Sequence, residues 1–268
     1  MAIEDTVEDL LSYANMLVET ALAQDSVVSM GKLCNDISRH YRAIGICGLL
    51  LHADTDMFFN GLIQGALTRK YYLNRCVREN HLSDPARKSS FVDPFLDAVA
   101  ANQFKLARQI AELSPDAWQK DFEYEDDFAY AAFLHEFIRF DAASEDQLHG
   151  ILDRYERVLE GSADTRFELC QALQSRSQSR FEEVFYDLLN EHDERMSQIA
   201  DPKLDSSLAK EYTFEPNRWI FVEGLAMLRI ADKLELRTEA EYKFCPSIAR
   251  LSDYAPFVPR AFPHLTLE

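Results

Sequence analysis

Apolar residues return every three or four positions along most of this chain, the spacing that lines one face of an α-helix. Val7, Leu10, Leu11, Ala14, Leu17, Val18 and Ala21 form the first such stripe, with an acidic face opposite. Residues 27–51 and 57–78 are apolar enough to be central packing helices, although Gly45, Gly48, Gly61 and Gly65 lower their local propensity. Small residues at those positions suit close helix contacts. The polar stretch 79–90 (ENHLSDPARKSS) holds a proline, lacks a period and reads as a linker.

Beyond it, Asp93-Pro94 starts a helix, and a break at Asn102 leads to a second, together an αα-hairpin. Ser114-Pro115-Asp116 reads as another helix start, followed by Tyr130, Phe133, Leu134 and Phe137 on one face. Ser144 with Gln147 fits a capping box ahead of Leu148, Ile151, Leu152, Tyr155, Val158 and Leu159. A short helix over 165–175 follows, and Ser179 with Glu182 gives a second capping box. The stripe after it is Phe181, Val184, Phe185, Leu188, Leu189, His192 and Met196. From Pro216, WIFVEGLAMLRIAD predicts one helix covered on several sides, because it is apolar almost all round. From Tyr242 the period is lost among four prolines, which predicts an extended tail laid on the body.

The expectation is an all-α fold, an irregular array of antiparallel helix pairs that is helical-repeat-like without a regular period. It is read as one domain over 1–268, with an N-terminal helical subdomain (1–80), a linker (79–90), a helical body (90–250) and an extended C-terminal tail (242–268). Eight Gly and nine Pro are too few to punctuate many short strands.

Charge narrows the function. With 28 Lys plus Arg against 46 Asp plus Glu, the net charge is −18, which repels phosphate backbones and anionic headgroups and attracts basic surfaces. No nucleic acid and no membrane partner is expected. An acidic surface also serves solubility alone, so charge accommodates a basic protein partner without requiring one. The five cysteines are scattered and odd in number, which predicts buried thiols in a reducing compartment. The acidic N-terminus lacks a signal-peptide pattern, and the longest apolar run, 43–51, is too short to span a bilayer, so a soluble cytoplasmic protein is expected.

Candidate chemistry concentrates at Glu123-Tyr124-Glu125-Asp126-Asp127. Catalytic or metal-binding carboxylates must converge from separate elements, whereas consecutive acids at a helix start point apart and are favoured there by the helix dipole. Three readings stay open for the cluster: dipole and solubility, docking, and catalysis. Trp118, Tyr124 and Tyr130 lie beside it, and aromatic anchors next to charge are common in protein interfaces, although Tyr130 fits the core equally well. His135-Glu136 opens a zinc-protease motif that Arg139 breaks. His192, alone on an apolar stripe, reads as a satisfied packing residue. Nucleotide-binding loops and nucleophile elbows are absent, so no catalytic residue, cofactor or metal is assigned.

Three stretches carry a resemblance. They are residues 95–118 (FLDAVAANQFKLARQIAELSPDAW), 124–138 (YEDDFAYAAFLHEFI), and 224–236 (GLAMLRIADKLEL) followed by CPSIARL. Over roughly residues 90 to 250 the chain resembles the immunity protein 49 family of bacterial polymorphic toxin systems. It departs from the expected pattern at Leu234-Glu235-Leu236, where a Gly is expected in the turn after the last helix.

The resemblance implies a cytosolic protein encoded beside a toxin, which it binds and neutralises in the producing cell without catalysis. The docking reading places Trp118, Glu123, Tyr124, Glu125, Asp126, Asp127 and Tyr130 against a toxin with a basic surface. The N-terminal 80 or so residues, outside the resemblance, confer partner specificity or homodimerisation as alternatives. Two rivals stand beside this reading: a helical scaffold or adaptor, and an enzyme that reverses the toxin's modification.

Overall fold

In a computed structural model, residues 3–251 are described, with side chains from Thr6 onward. Among the described residues, eleven α-helices linked by short 3-10 turns make up the fold and no sheet forms. None of these helices is long and apolar enough to cross a membrane.

The N-terminal layer is α1 (Ile3–Leu22), α2 (Met30–His52) and α3 (Thr55–Arg78). The stripe predicted on α1 faces inward from Leu10 to Ala21, with Leu10, Leu11 and Ala14 meeting Ala43, Ile44 and Cys47 of α2. A two-residue joint separates α2 from α3: Ala53 turns left-handed at φ 52°, and Asp54 caps α3 by accepting the Met57 N–H at 2.8 Å. The two helices run antiparallel and very close. A Cβ added at Gly61 would stand 2.6 Å from the Tyr41 carbonyl and 2.8 Å from Gly45 Cα. The glycines that weaken both helices locally are therefore what lets the two backbones touch.

Two further pairs follow: α4 (Asp93–Ala100) with α5 (Phe104–Leu113), and α6 (Glu125–Phe137) with α7 (Glu145–Leu159). Asn102, the predicted break, is left-handed at φ 57°. Arg42 on α2 anchors α4, its Nε 2.6 Å from Asp97 Oδ1. Ser144 caps α7 through the Gln147 N–H as the capping box predicts. The return bond comes from elsewhere, because Glu136 at the end of α6 accepts the Ser144 N–H at 2.8 Å. The next pair is α8 (Thr165–Gln174) and α9 (Gln178–Ala200); then come α10 (Phe214–Trp219) and α11 (Val222–Lys233). Helix α11 packs on α4, far away in sequence, and is buried along most of its length. One apolar cluster joins these layers, from Leu17 to Ala249.

Four local readings are corrected. Ser114 does not start a helix; it ends α5 in extended backbone, and its hydroxyl donates to the Ile110 carbonyl. Helix α9 is capped by Ser177, whose hydroxyl accepts from the Arg180 N–H, so it begins two residues before the Ser179 box. The apolar run after Pro216 is two helices, because Ile220 and Phe221 turn extended and the Phe221 N–H donates to the Phe244 carbonyl at 2.9 Å. Residues 79–90 are no free spacer. Asp84, Arg87 and Ser89 are buried, and the Arg69 guanidinium donates to the carbonyls of Ala86, Arg87 and Lys88 at 2.5, 2.9 and 2.9 Å.

The turn expected to hold a glycine places Glu235 at φ 59°, a left-handed conformation that costs a residue with a Cβ about 1–2 kcal/mol. Of the tail, Tyr242–Leu251 lies on the body, with Phe244 against His192 and Cys245 beneath Gly224. Its continuation, 252–268, is outside the described residues.

Candidate partner-binding surface

The acidic-aromatic segment begins where α5 stops. Between Ser114 and Tyr124 the chain folds back on itself. Glu123 is the pin: its carboxylate accepts the Gln119 N–H at 3.1 Å and the Ser90 N–H at 2.8 Å, while its carbonyl takes the Trp118 indole N–H at 3.0 Å. Glu123 is therefore a buried structural acid and does not face a partner. The carboxylate thereby supplies partners to two backbone N–H groups, of Ser90 and Gln119, which is why it is tolerated inside.

Helix α6 then starts with three consecutive acids, as the helix dipole favours. They point apart, and two are occupied. Glu125 meets Arg154 of α7 at 2.6 Å, and Asp127 meets Arg166 of α8 at 3.6 Å. Burial pushes the Asp127 carboxyl up, against the pull of Arg166. Asp126 accepts the Asp127 N–H at 2.9 Å and stays half-exposed. Tyr124 is 79% exposed, with Phe122 and Asp121 exposed beside it. Tyr130 is a core residue, its hydroxyl donating to Glu223 of α11 at 2.8 Å and Arg166 standing 4.9 Å over its ring. Arg166 completes that network with a two-pronged bond to Glu223 at 2.8 and 2.7 Å.

Of the seven residues proposed from sequence, Glu123 and Tyr130 are thus buried, and Glu125 and Asp127 tie α6 to α7 and α8. Trp118 is half-buried, and Tyr124 and Asp126 face outward. Trp118 marks something the sequence did not disclose. It lines a groove of about 1180 Å³ between the end of α5, the 114–119 loop, α6 and α7. Leu82, Leu113, Phe128, Ala132 and Ile151 supply apolar walls, and Arg154 covers the Trp118 and Phe128 rings at 5.9 and 5.0 Å. That volume exceeds the roughly 300–1,000 Å³ typical of small-molecule pockets and suits a polypeptide segment. Ala132 and Arg154 carried no signal of their own, and Ile151 read only as one position of the α7 stripe, since a groove between several elements has no period.

Elsewhere, potential chemistry is occupied or dispersed. Among the described residues, no group of three or more His, Cys, Asp or Glu could hold a metal ion. All five cysteines are buried and free. His135 packs edge-on to Phe95 at 4.8 Å, and burial, helped by Arg69, pushes its pKa down to about 4. His192 stacks on Phe221 at 4.1 Å, yet among the described residues neither ring nitrogen meets a partner with full hydrogen-bond geometry. It is a packing residue as expected, but not a satisfied one.

Residues 60–249 match the family model described as Immunity protein 49. The match begins inside α3 and ends at the last 3-10 turn, so it takes in the 79–90 segment and every wall of the groove. No curated protein and no solved structure matches the chain.

Proposed function

The chain belongs to the immunity protein 49 family, and from that premise we propose that it neutralises a cognate protein toxin by binding it stoichiometrically, without catalysis, in the cytoplasm of the producing cell. The observation that carries the choice of surface is the juxtaposition at one end of α6. Tyr124 and Phe122 project beside Asp121 and Asp126, and the groove floored by Trp118 and Phe128 opens next to them.

A tight inhibitor needs aromatic anchors in a pocket and a charge pattern that speeds encounter, and this face has both kinds of element. The net charge of −18 favours a toxin whose approaching surface is basic. Glu125 and Asp127 contribute to that field while paired, so their part is chiefly to hold the face in shape. The five buried free thiols suit a reducing compartment.

The test is to co-express the protein with the product of the adjacent gene and to measure both co-purification and rescue of growth. A stoichiometric complex with rescue supports neutralisation by occlusion. Rescue without a complex refutes it in favour of an enzyme that undoes damage. Several partners with no rescue would place the protein with scaffolds. Within the complex, the combined variant Asp121→Lys, Tyr124→Ala and Asp126→Lys is expected to slow association about tenfold, in keeping with steering effects on on-rate. An unchanged rate removes this face from the interface.

A further inference from the structure

The groove differs in charge from the rest of the surface. Arg87 lies in its wall, only 6% exposed, and its guanidinium donates to the carbonyls of Leu82 and Leu113 at 2.7 and 3.2 Å. Behind it Arg69, 1% exposed, is held by three further carbonyls and Asn35. Neither cation forms an ion pair among the described residues. Charges buried this way are screened far less than the acids of the exterior, and of the two Arg87 sits in the groove wall itself.

At the mouth stands Arg108, exposed and without an ion pair or side-chain hydrogen bond among the described residues. The wall also holds two buried polar atoms that lack partners among the described residues, Arg87 Nε and Gln119 Oε1. Exposed Glu112 and Asp116 are the opposing charges, and both face water. The other acid in the lining, Glu136, is already bound by Arg139 and the Ser144 N–H.

We propose that this groove receives an apolar segment of the partner protein that carries a carboxylate, with the apolar side chains on Trp118, Ala132 and Ile151 and the carboxylate at Arg108 over the buried positive wall. The proposal rests on the neutralisation reading and sharpens it. The exterior draws in a basic toxin, while the groove selects one acidic, apolar element of it. A guanidinium suits that task, since it pairs with a carboxylate through two parallel donors.

The experiment has a part that needs no toxin. In Trp219→Phe protein, emission comes from Trp118 alone, because the chain has only two tryptophans. Titration with 4-phenylbutyrate is expected to change that emission at a concentration at least tenfold lower than with its neutral amide. Arg108→Glu should abolish the preference, and Ala132→Phe, which fills the groove, should abolish the response to both. Equal binding of acid and amide, or binding indifferent to Ala132→Phe, overturns the proposal.

In the complex with the adjacent gene's product, Arg108→Glu and Ala132→Phe should each weaken affinity at least tenfold. Circular dichroism checks that both variants fold, and Arg108, being exposed, is the safeguard should Ala132→Phe not do so. A complex that resists both variants refutes the groove and leaves neutralisation standing. The expected phenylbutyrate response without any complex refutes neutralisation and leaves the chemistry of the groove standing.

Discussion

Replacing Arg69 by methionine tests how the groove wall is held. The guanidinium sits at the centre of the contact between α3 and residues 86–88, and its Nη atoms serve three carbonyls and Asn35. Methionine keeps most of the stem's volume and removes every donor. The bond to the Arg87 carbonyl is fully buried, and those to Ala86 and Lys88 are part-buried, where water can substitute in some measure.

An unsatisfied buried acceptor costs roughly 1–3 kcal/mol and a solvent-rescued one about 1 or less, which sums to about 3–4 kcal/mol for the three. Removing the buried cation returns part of the desolvation that burial costs, so the net loss is about 3 kcal/mol. For a domain of this size that corresponds to a fall in Tm of roughly 6–10 °C. Urea unfolding followed by circular dichroism should show a lower midpoint with an unchanged slope. Hydrogen exchange should accelerate across residues 82–90 first. A variant as stable as the wild type would show that the cation's desolvation matches all its bonds, and would refute the role given to Arg69.

Gly61→Ala should be more damaging than its size suggests, since the new Cβ meets the backbone of Tyr41 and Gly45 below 3.0 Å; a loss of about 1–3 kcal/mol in urea unfolding is expected from overpacking, and no loss would mean α2 and α3 can separate freely. His192 makes stability depend on pH: its folded pKa is down at about 4, from burial first and Arg195 second, against 6.5 unfolded. The unfolded chain then binds more protons between those values, so stability falls as pH drops through that window, by about 2 kcal/mol at pH 5 relative to pH 7. The His192→Phe variant should lose that increment of pH dependence, and an unaltered slope between pH 7 and 5 would exclude His192 as its source. Ser177→Ala should cost about 1 kcal/mol while Ser179→Ala costs almost nothing, and the reverse order in thermal melts would move the α9 cap back to Ser179.

Much of the architecture was legible in the chain itself, because helix and core face depend on spacing within a few turns. The stripes on α1, α7 and α9 name residues that are buried or half-buried, and the scarcity of glycine and proline already spoke against a sheet. Three of the four misreadings arose where a group outside the helical pattern claims the backbone. Phe244 takes the Phe221 N–H and divides one apolar run into two helices; Glu123 folds the 114–124 loop that Ser-Pro-Asp would have made helical; Arg69 turns a polar, proline-bearing stretch into a packed wall.

The candidate interface residues divide in the same way. Sequence determined that acids and aromatics would crowd the start of α6, because the dipole favours carboxylates there whatever surrounds them. Only tertiary structure decided which of them face water, since burial of Tyr130 depends on Glu223 and occupation of Glu125 and Asp127 on arginines 29 and 39 positions away. The groove belongs wholly to the second category. Arg87 and Arg108 in its lining meet no carboxylate among the described residues, and an unmade contact is a property of three-dimensional packing that no local pattern can record.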